Sequence, residues 1–132
     1  MKQEILITTE AIDGPALAAA RASGPGMGAV VHFLGVVRGS EEGASIAAID
    51  YTAFVPMAEA QFRKLLDEAA RRWPLESVRV VHRLGVVRVG EPSLWMEVVS
   101  PHRAEAFDAC RWIIDEMKRV VPIWKRAVPV VP

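Results

Sequence analysis

Residues 77–100 read SVRVVHRLGVVRVGEPSLWMEVVS. Three short runs, Ser77 to His82, Gly85 to Val89 and Ser93 to Ser100, are apolar or alternating and rich in valine, with turn signals at Gly85 and at Gly90-Glu91-Pro92. Three strands in succession, with no helix between them, break any regular βαβ period. The expectation is an α+β protein with mixed or antiparallel sheets rather than a doubly wound parallel sheet.

Working outward from this stretch gives three helices. From His102 to Val121, Phe107, Cys110, Ile114, Met117 and Val121 recur at three- and four-residue steps, which predicts one long amphipathic helix broken by Pro122. Ile123 to Arg126 continues as an extended segment. On the other side, Ile46 to Phe54 reads as a strand, and Pro56 opens a helix whose Met57, Phe62, Leu65, Leu66 and Ala69 share a face until Trp73-Pro74. Gly28 to Arg38 is nearly continuously apolar and predicts a central strand buried on both faces, followed by a polar loop, Gly39 to Gly43. Near the N-terminus, Glu4 to Thr8 predicts a strand, and Asp13-Gly14-Pro15 caps and starts an Ala-rich helix.

Composition narrows the functional classes. The 132 residues carry 16 Lys+Arg and 16 Asp+Glu, which argues against a polycationic nucleic-acid binder. With 52% hydrophobic residues the chain reads as one domain over 1–132 that can bury a core without metals or disulfides. A single Cys110 forms neither an internal bridge nor a zinc site, and no targeting or membrane run is seen, so a reduced, cytoplasmic location is expected. The zero charge hides an asymmetry. Residues 1–60 hold three basic side chains, Lys2, Arg21 and Arg38, against seven acidic ones, so thirteen Lys and Arg fall in the remainder.

Phosphate-loop, nucleophile-elbow, His-Glu-x-x-His and clustered-Cys signatures are absent, which leaves neither a metal nor a cofactor implied. Basic residues stand in suggestive places instead. Pro101-His102-Arg103 lies where a strand yields to a helix, so backbone N–H groups, the helix dipole and two side chains could address one anion; the same triplet also reads as a solvated helix start. Lys118 borders the apolar arc of the last helix, and Lys125 follows the Pro122 break; each suits a cleft lysine acting on a proton or an anion, and each also suits a surface position. Arg38 ends the most hydrophobic strand at a flexible loop, a setting for phosphate or carboxylate. Cys110 reads as a core residue, and His32 and His82, lying within strands, read as structural.

These pieces resemble a family. Gly28-Ala29-Val30-Val31 through Gly35-Val36-Val37-Arg38, Tyr51 with Pro56-Met57-Ala58, Val81-His82-Arg83-Leu84-Gly85, Val89-Gly90-Glu91, Ser100 to Phe107, and Lys118 with Pro122-Ile123-Trp124-Lys125 follow the order and spacing of the large, catalytic subunit of molybdopterin synthase, the MoaE family. The resemblance covers nearly the whole chain, and its most specific parts are the Pro-His-Arg segment and the Lys-x3-Pro-x2-Lys ending. It implies an α/β-hammerhead fold and a sulfurtransferase that makes the dithiolene of molybdopterin from precursor Z, a cyclic pyranopterin monophosphate. It further implies a small ubiquitin-like partner that delivers sulfur on the thiocarboxylate of a Gly-Gly tail, and a homodimer at the centre of a heterotetramer. Carried over by motif, Lys118 and Lys125 stand at the reacting centre, and Arg38, His102 and Arg103 surround the anionic groups. Two departures are visible: Ser40-Glu41-Glu42-Gly43 replaces the Asn-containing loop of many relatives, and the chain ends soon after Lys125. The alternative class is a non-catalytic dimeric anion- or metabolite-binding module, which would have no need of paired lysines flanking Pro122.

Overall fold

The computed structural model describes residues 1–131. Eight strands and three helices follow in the order β1 (Lys2–Thr8), α1 (Gly14–Ala19), β2 (Ala29–Val36), β3 (Ser40–Glu41), β4 (Ala44–Ala53), α2 (Val55–Arg72), β5 (Ser77–Arg83), β6 (Gly85–Arg88), β7 (Pro92–Ser100), α3 (Arg103–Val120) and β8 (Ile123–Pro129). The first sheet has the order β1-β5-β7-β2, with β1 parallel to β5 and the other pairs antiparallel. In the second sheet β4 is the spine: β6 and β8 pair with its two edges over Ala48 to Tyr51, and the two-residue β3 pairs with its start. This is the α+β arrangement with mixed sheets and three helices that the triple strand run implies.

Two helices cover one face of the first sheet. On α2, Ala58, Phe62, Leu65, Leu66 and Ala69 point inward, and Pro56 in the first turn costs no helical hydrogen bond. On α3 the buried set is Ala106, Ala109, Cys110, Ile113 and Met117. Their neighbours in the core include Val78, Val80, Met96 and Val98, all essentially sealed from solvent. A smaller core of Val37, Ile46, Ile49 and Val87 underlies the second sheet, with Tyr51 packed against it. Among the described residues no helix is long and apolar enough to cross a membrane.

Three local expectations are corrected. The strand buried on both faces is β7, not β2: every residue from Ser93 to Ser100 is buried, whereas β2 is the edge of its sheet and leaves Val30, Phe33, Leu34 and Val36 exposed. An apolar run reports low polarity and cannot say which surface covers it. The inward arc of α3 is rotated toward Ala106 and Ile113, leaving Phe107 61% exposed, because small alanines allow the helix to sit close to the sheet. The segment after Arg38 is a tight hairpin rather than a loop. Glu42 and Gly43, with φ of 51° and 81°, form its two-residue turn between β3 and β4, the left-handed pair such hairpins demand.

Candidate active site

Where the two sheets meet, a cavity of about 680 Å³ opens. The end of β2 and the chain beyond it supply Arg38, β3 supplies Glu41, β4 supplies Tyr51, β5 supplies His82, α3 supplies Lys118 and β8 supplies Lys125. Each arrives by a different local rule. The break at Val121-Pro122 turns the chain back so that Ile123 to Pro129 zips antiparallel onto β4, opposing Lys125 to Tyr51. Lys118 sits in the last turn of α3, where its cation complements the negative end of the helix dipole. Three of the five candidate residues, Arg38, Lys118 and Lys125, therefore converge.

The electrostatics are arranged for an anion. Lys125 Nζ donates to Glu41 Oε1 at 2.8 Å, and this hydrogen bond, reinforced by the lysine charge, holds the Glu41 carboxyl below its ordinary range. Lys118 and Arg38 are exposed and have no hydrogen-bond or ion-pair partner among the described residues. The lysines stand open to solvent at the rim of the cavity, in contrast to the partly desolvated setting that a catalytic lysine suggests. Deeper in, the Tyr51 hydroxyl donates to Ser93 Oγ at 3.3 Å, and His82 Nδ1 lies 2.9 Å from the carbonyl oxygen of Arg83. The His82 ring meets Tyr51 edge-on with centroids 5.2 Å apart, and burial pushes its pKa down.

His102 and Arg103 do not join this group within one chain. They mark the start of α3, and the 15 residues from Arg103 to Lys118 span about 22 Å of helix. Both side chains are exposed at the opposite end of β2, where Gly28 N–H donates to the Pro101 carbonyl at 3.1 Å. Cys110 is buried against Met96, and burial pushes its thiol up to about 11, which removes it as a nucleophile at neutral pH. Sequence reasoning missed Glu41, Tyr51, His82 and Ser93 as cavity residues. They come from β3, β4, β5 and β7, so only the meeting of the two sheets brings them together, although Tyr51 and Val81-His82-Arg83 belong to the family resemblance.

A family model described as MoaE protein matches residues 7–120. The molybdopterin synthase catalytic subunit of Thermoplasma volcanium is 44% identical over 104 residues, covering 79% of this chain and 76% of that protein. The matched segment spans only about half of some longer relatives, 55% of the human molybdopterin synthase catalytic subunit. Molybdopterin synthase from Staphylococcus aureus superposes with a TM-score of 0.85 at 32% identity, over 98% of this chain and 92% of that chain. A Helicobacter pylori chain, solved in a protein-protein complex of subunits 1 and 2 of molybdopterin-converting factor, shares the fold with a TM-score of 0.72 at 22% identity, over 97% and 89% of the two chains. Profile, sequence and fold agree, and the chain belongs to the MoaE family, that of the molybdopterin synthase catalytic subunits.

Proposed function

We infer that the chain transfers sulfur from the C-terminal thiocarboxylate of a small ubiquitin-like partner to precursor Z, forming the dithiolene of molybdopterin. The observation that carries this reading is a cavity that gathers three cations from distant parts of the chain and holds no thiol of its own, Cys110 being buried elsewhere. A pterin phosphate, a thiocarboxylate tail and the oxyanion of an acyl transfer all require fixed positive charge, and the sulfur nucleophile comes with the partner. The thiocarboxylate sulfur forms a C–S bond to a side-chain carbon of the substrate as the C–O bond at that carbon breaks, and the departing oxygen takes up a proton with Lys118 assisting. Partner and substrate are then joined through an acyl link, which water cleaves to release the partner as a carboxylate. Lys125 and Arg38 hold the phosphate, and a second sulfurated partner repeats the cycle at the adjacent carbon.

The distance of His102 and Arg103 from Lys118 fits a homodimer. The outer edge of β2 pairs with no strand among the described residues, and its exposed Val30, Leu34 and Val36 are the apolar cover that a second copy would bury. If two β2 edges pair antiparallel about a two-fold axis, the start of one strand meets the end of the other. Eight residues of strand span roughly 25 Å, close to the rise of α3 between Arg103 and Lys118. Such pairing carries His102 and Arg103 of each copy toward the Arg38 end of the other, completing an anion site that one chain leaves open. The partner of the H. pylori relative supports a second subunit type in the assembly, and with two partners bound the assembly is a heterotetramer.

The test is reconstitution. The purified chain mixed with thiocarboxylated small subunit and precursor Z yields molybdopterin, and Lys118→Ala binds the partner but loses turnover. Binding of both components without product would favour the anion-binding module instead, and unchanged turnover in Lys118→Ala would remove that residue from the reaction.

A further inference from the structure

Its place within a strand makes His82 look structural, yet the residue lines the cavity that holds Lys118 and Lys125. The side chain is buried in β5, with only 5% of the residue exposed. Nδ1 lies 2.9 Å from the Arg83 carbonyl oxygen, an acceptor without a proton, so Nδ1 must carry the hydrogen and donate it. That places the lone pair on Nε2. Nε2 has no hydrogen-bond partner among the described residues, and it is not one of the sealed, unpartnered polar atoms, which are Glu76 Oε2, Arg83 Nε and Glu105 Oε2. A neutral imidazole with its tautomer locked from behind and its free nitrogen reachable by water is the arrangement of a general base.

We propose that His82 is a catalytic residue of the transfer, its Nε2 taking the proton from the water that cleaves the acyl link between partner and substrate. This rests on the sulfur-transfer reading above. The water oxygen bonds to the acyl carbon as one proton passes to Nε2. Collapse of the tetrahedral intermediate breaks the C–S bond, the imidazolium returns its proton to the departing thiolate, and the partner loses the second water proton to solvent and leaves as a carboxylate. No oxidant or reductant is consumed. The other groups facing the cavity suit this step less well: Arg38, Lys118 and Lys125 are cations, Glu41 is tied to Lys125, and the Tyr51 hydroxyl is engaged with Ser93. Burial favours the neutral ring, so the base is present at neutral pH.

The decisive variant is His82→Asn. An asparagine amide takes the place of Nδ1 and keeps a donor for the Arg83 carbonyl, but it has nothing at the position of Nε2, whereas His82→Gln offers a polar group near Nε2 without a base. Single-turnover reaction of the holo-assembly with thiocarboxylated partner and precursor Z is followed by mass spectrometry of the partner. We expect both variants to form the acyl-linked partner–substrate species and to release it on the order of a hundredfold more slowly. In the wild type the release rate rises with pH through an ionisation below the usual histidine value of about 6.5, and that rise is absent in both variants. Release from His82→Asn at the wild-type rate and with the wild-type pH profile overturns the assignment and makes the ring structural. A wild type that forms no product at all takes down the sulfur-transfer reading and this one together, whereas product from the wild type with normal release by His82→Asn removes His82 alone.

Discussion

Co-expression of Lys118→Ala with Arg103→Ala distinguishes a pocket completed across a dimer from one contained in a single chain. Arg103 and Lys118 are separated by about 22 Å of α3, too far to hold one phosphate between them in the same copy. Each single variant should be poor: loss of a charge-assisted hydrogen bond to an anion costs about 1.5–3 kcal/mol, roughly ten- to a hundredfold in kcat/KM. In a mixed dimer with trans pockets, one pocket lacks both side chains and the other has both. Random association makes about half of the dimers mixed, so about a quarter of wild-type pockets return, and purification through two different tags raises this to about half. If the pocket were formed in cis, each pocket of the mixed dimer would lack one residue and nothing would return. The assay is molybdopterin formation at saturating thiocarboxylated partner. Activity of the doubly tagged dimer no greater than the mean of the two single variants would refute the trans arrangement.

Other consequences concern the scaffold. Glu97, sealed in β7, accepts from Arg79 at 2.9 Å and contacts His32 Nε2 at 2.8 Å; burial pulls its carboxyl up, but these partners outweigh it and the net shift is downward. Its charge therefore stabilises the fold above the ordinary carboxylate range near 4.3, and this contribution disappears as pH falls through the lower folded-state value. Glu97→Ala should cost about 3–5 kcal/mol at pH 7 and much less in acid, read by urea unfolding at both pH values. Gly28→Ala should destabilise by about 1–3 kcal/mol, since the new Cβ would stand 2.7 Å from the Pro101 carbonyl oxygen, and circular dichroism melting would show it; an unchanged midpoint contradicts the close approach. Cys110→Ala should keep its turnover per folded molecule, and native Cys110 should resist iodoacetamide until denaturant is added.

Much of the fold is legible along the chain. The successive strands from Ser77 to Ser100, the Pro56 start and Trp73-Pro74 stop of α2, and the Asp13 cap, whose Oδ1 accepts from Ala16 N–H at 3.1 Å, are all local signals of periodicity or backbone chemistry. Such signals survive because they depend on residues a few positions apart. The apolar run of β2 misleads for the converse reason: valines on an open sheet edge look the same as valines inside a sheet.

Residue type and motif single out the five basic candidates, and their types suffice to name anion chemistry. Whether they meet is a matter of three-dimensional pairing. Tyr51 faces Lys125 because β8 folds back onto β4, and His82 enters the cavity because β5 delivers it beside the β4 spine, contacts that span tens of residues. His102 and Arg103 stay apart from Lys118 because a helix is rigid and rises 1.5 Å with each residue, about 22 Å in all. Neighbouring residues thus encode the elements and the charge chemistry of the site, whereas which charges share a cavity follows from long-range hydrogen-bonded pairing and from the fixed length of a helix.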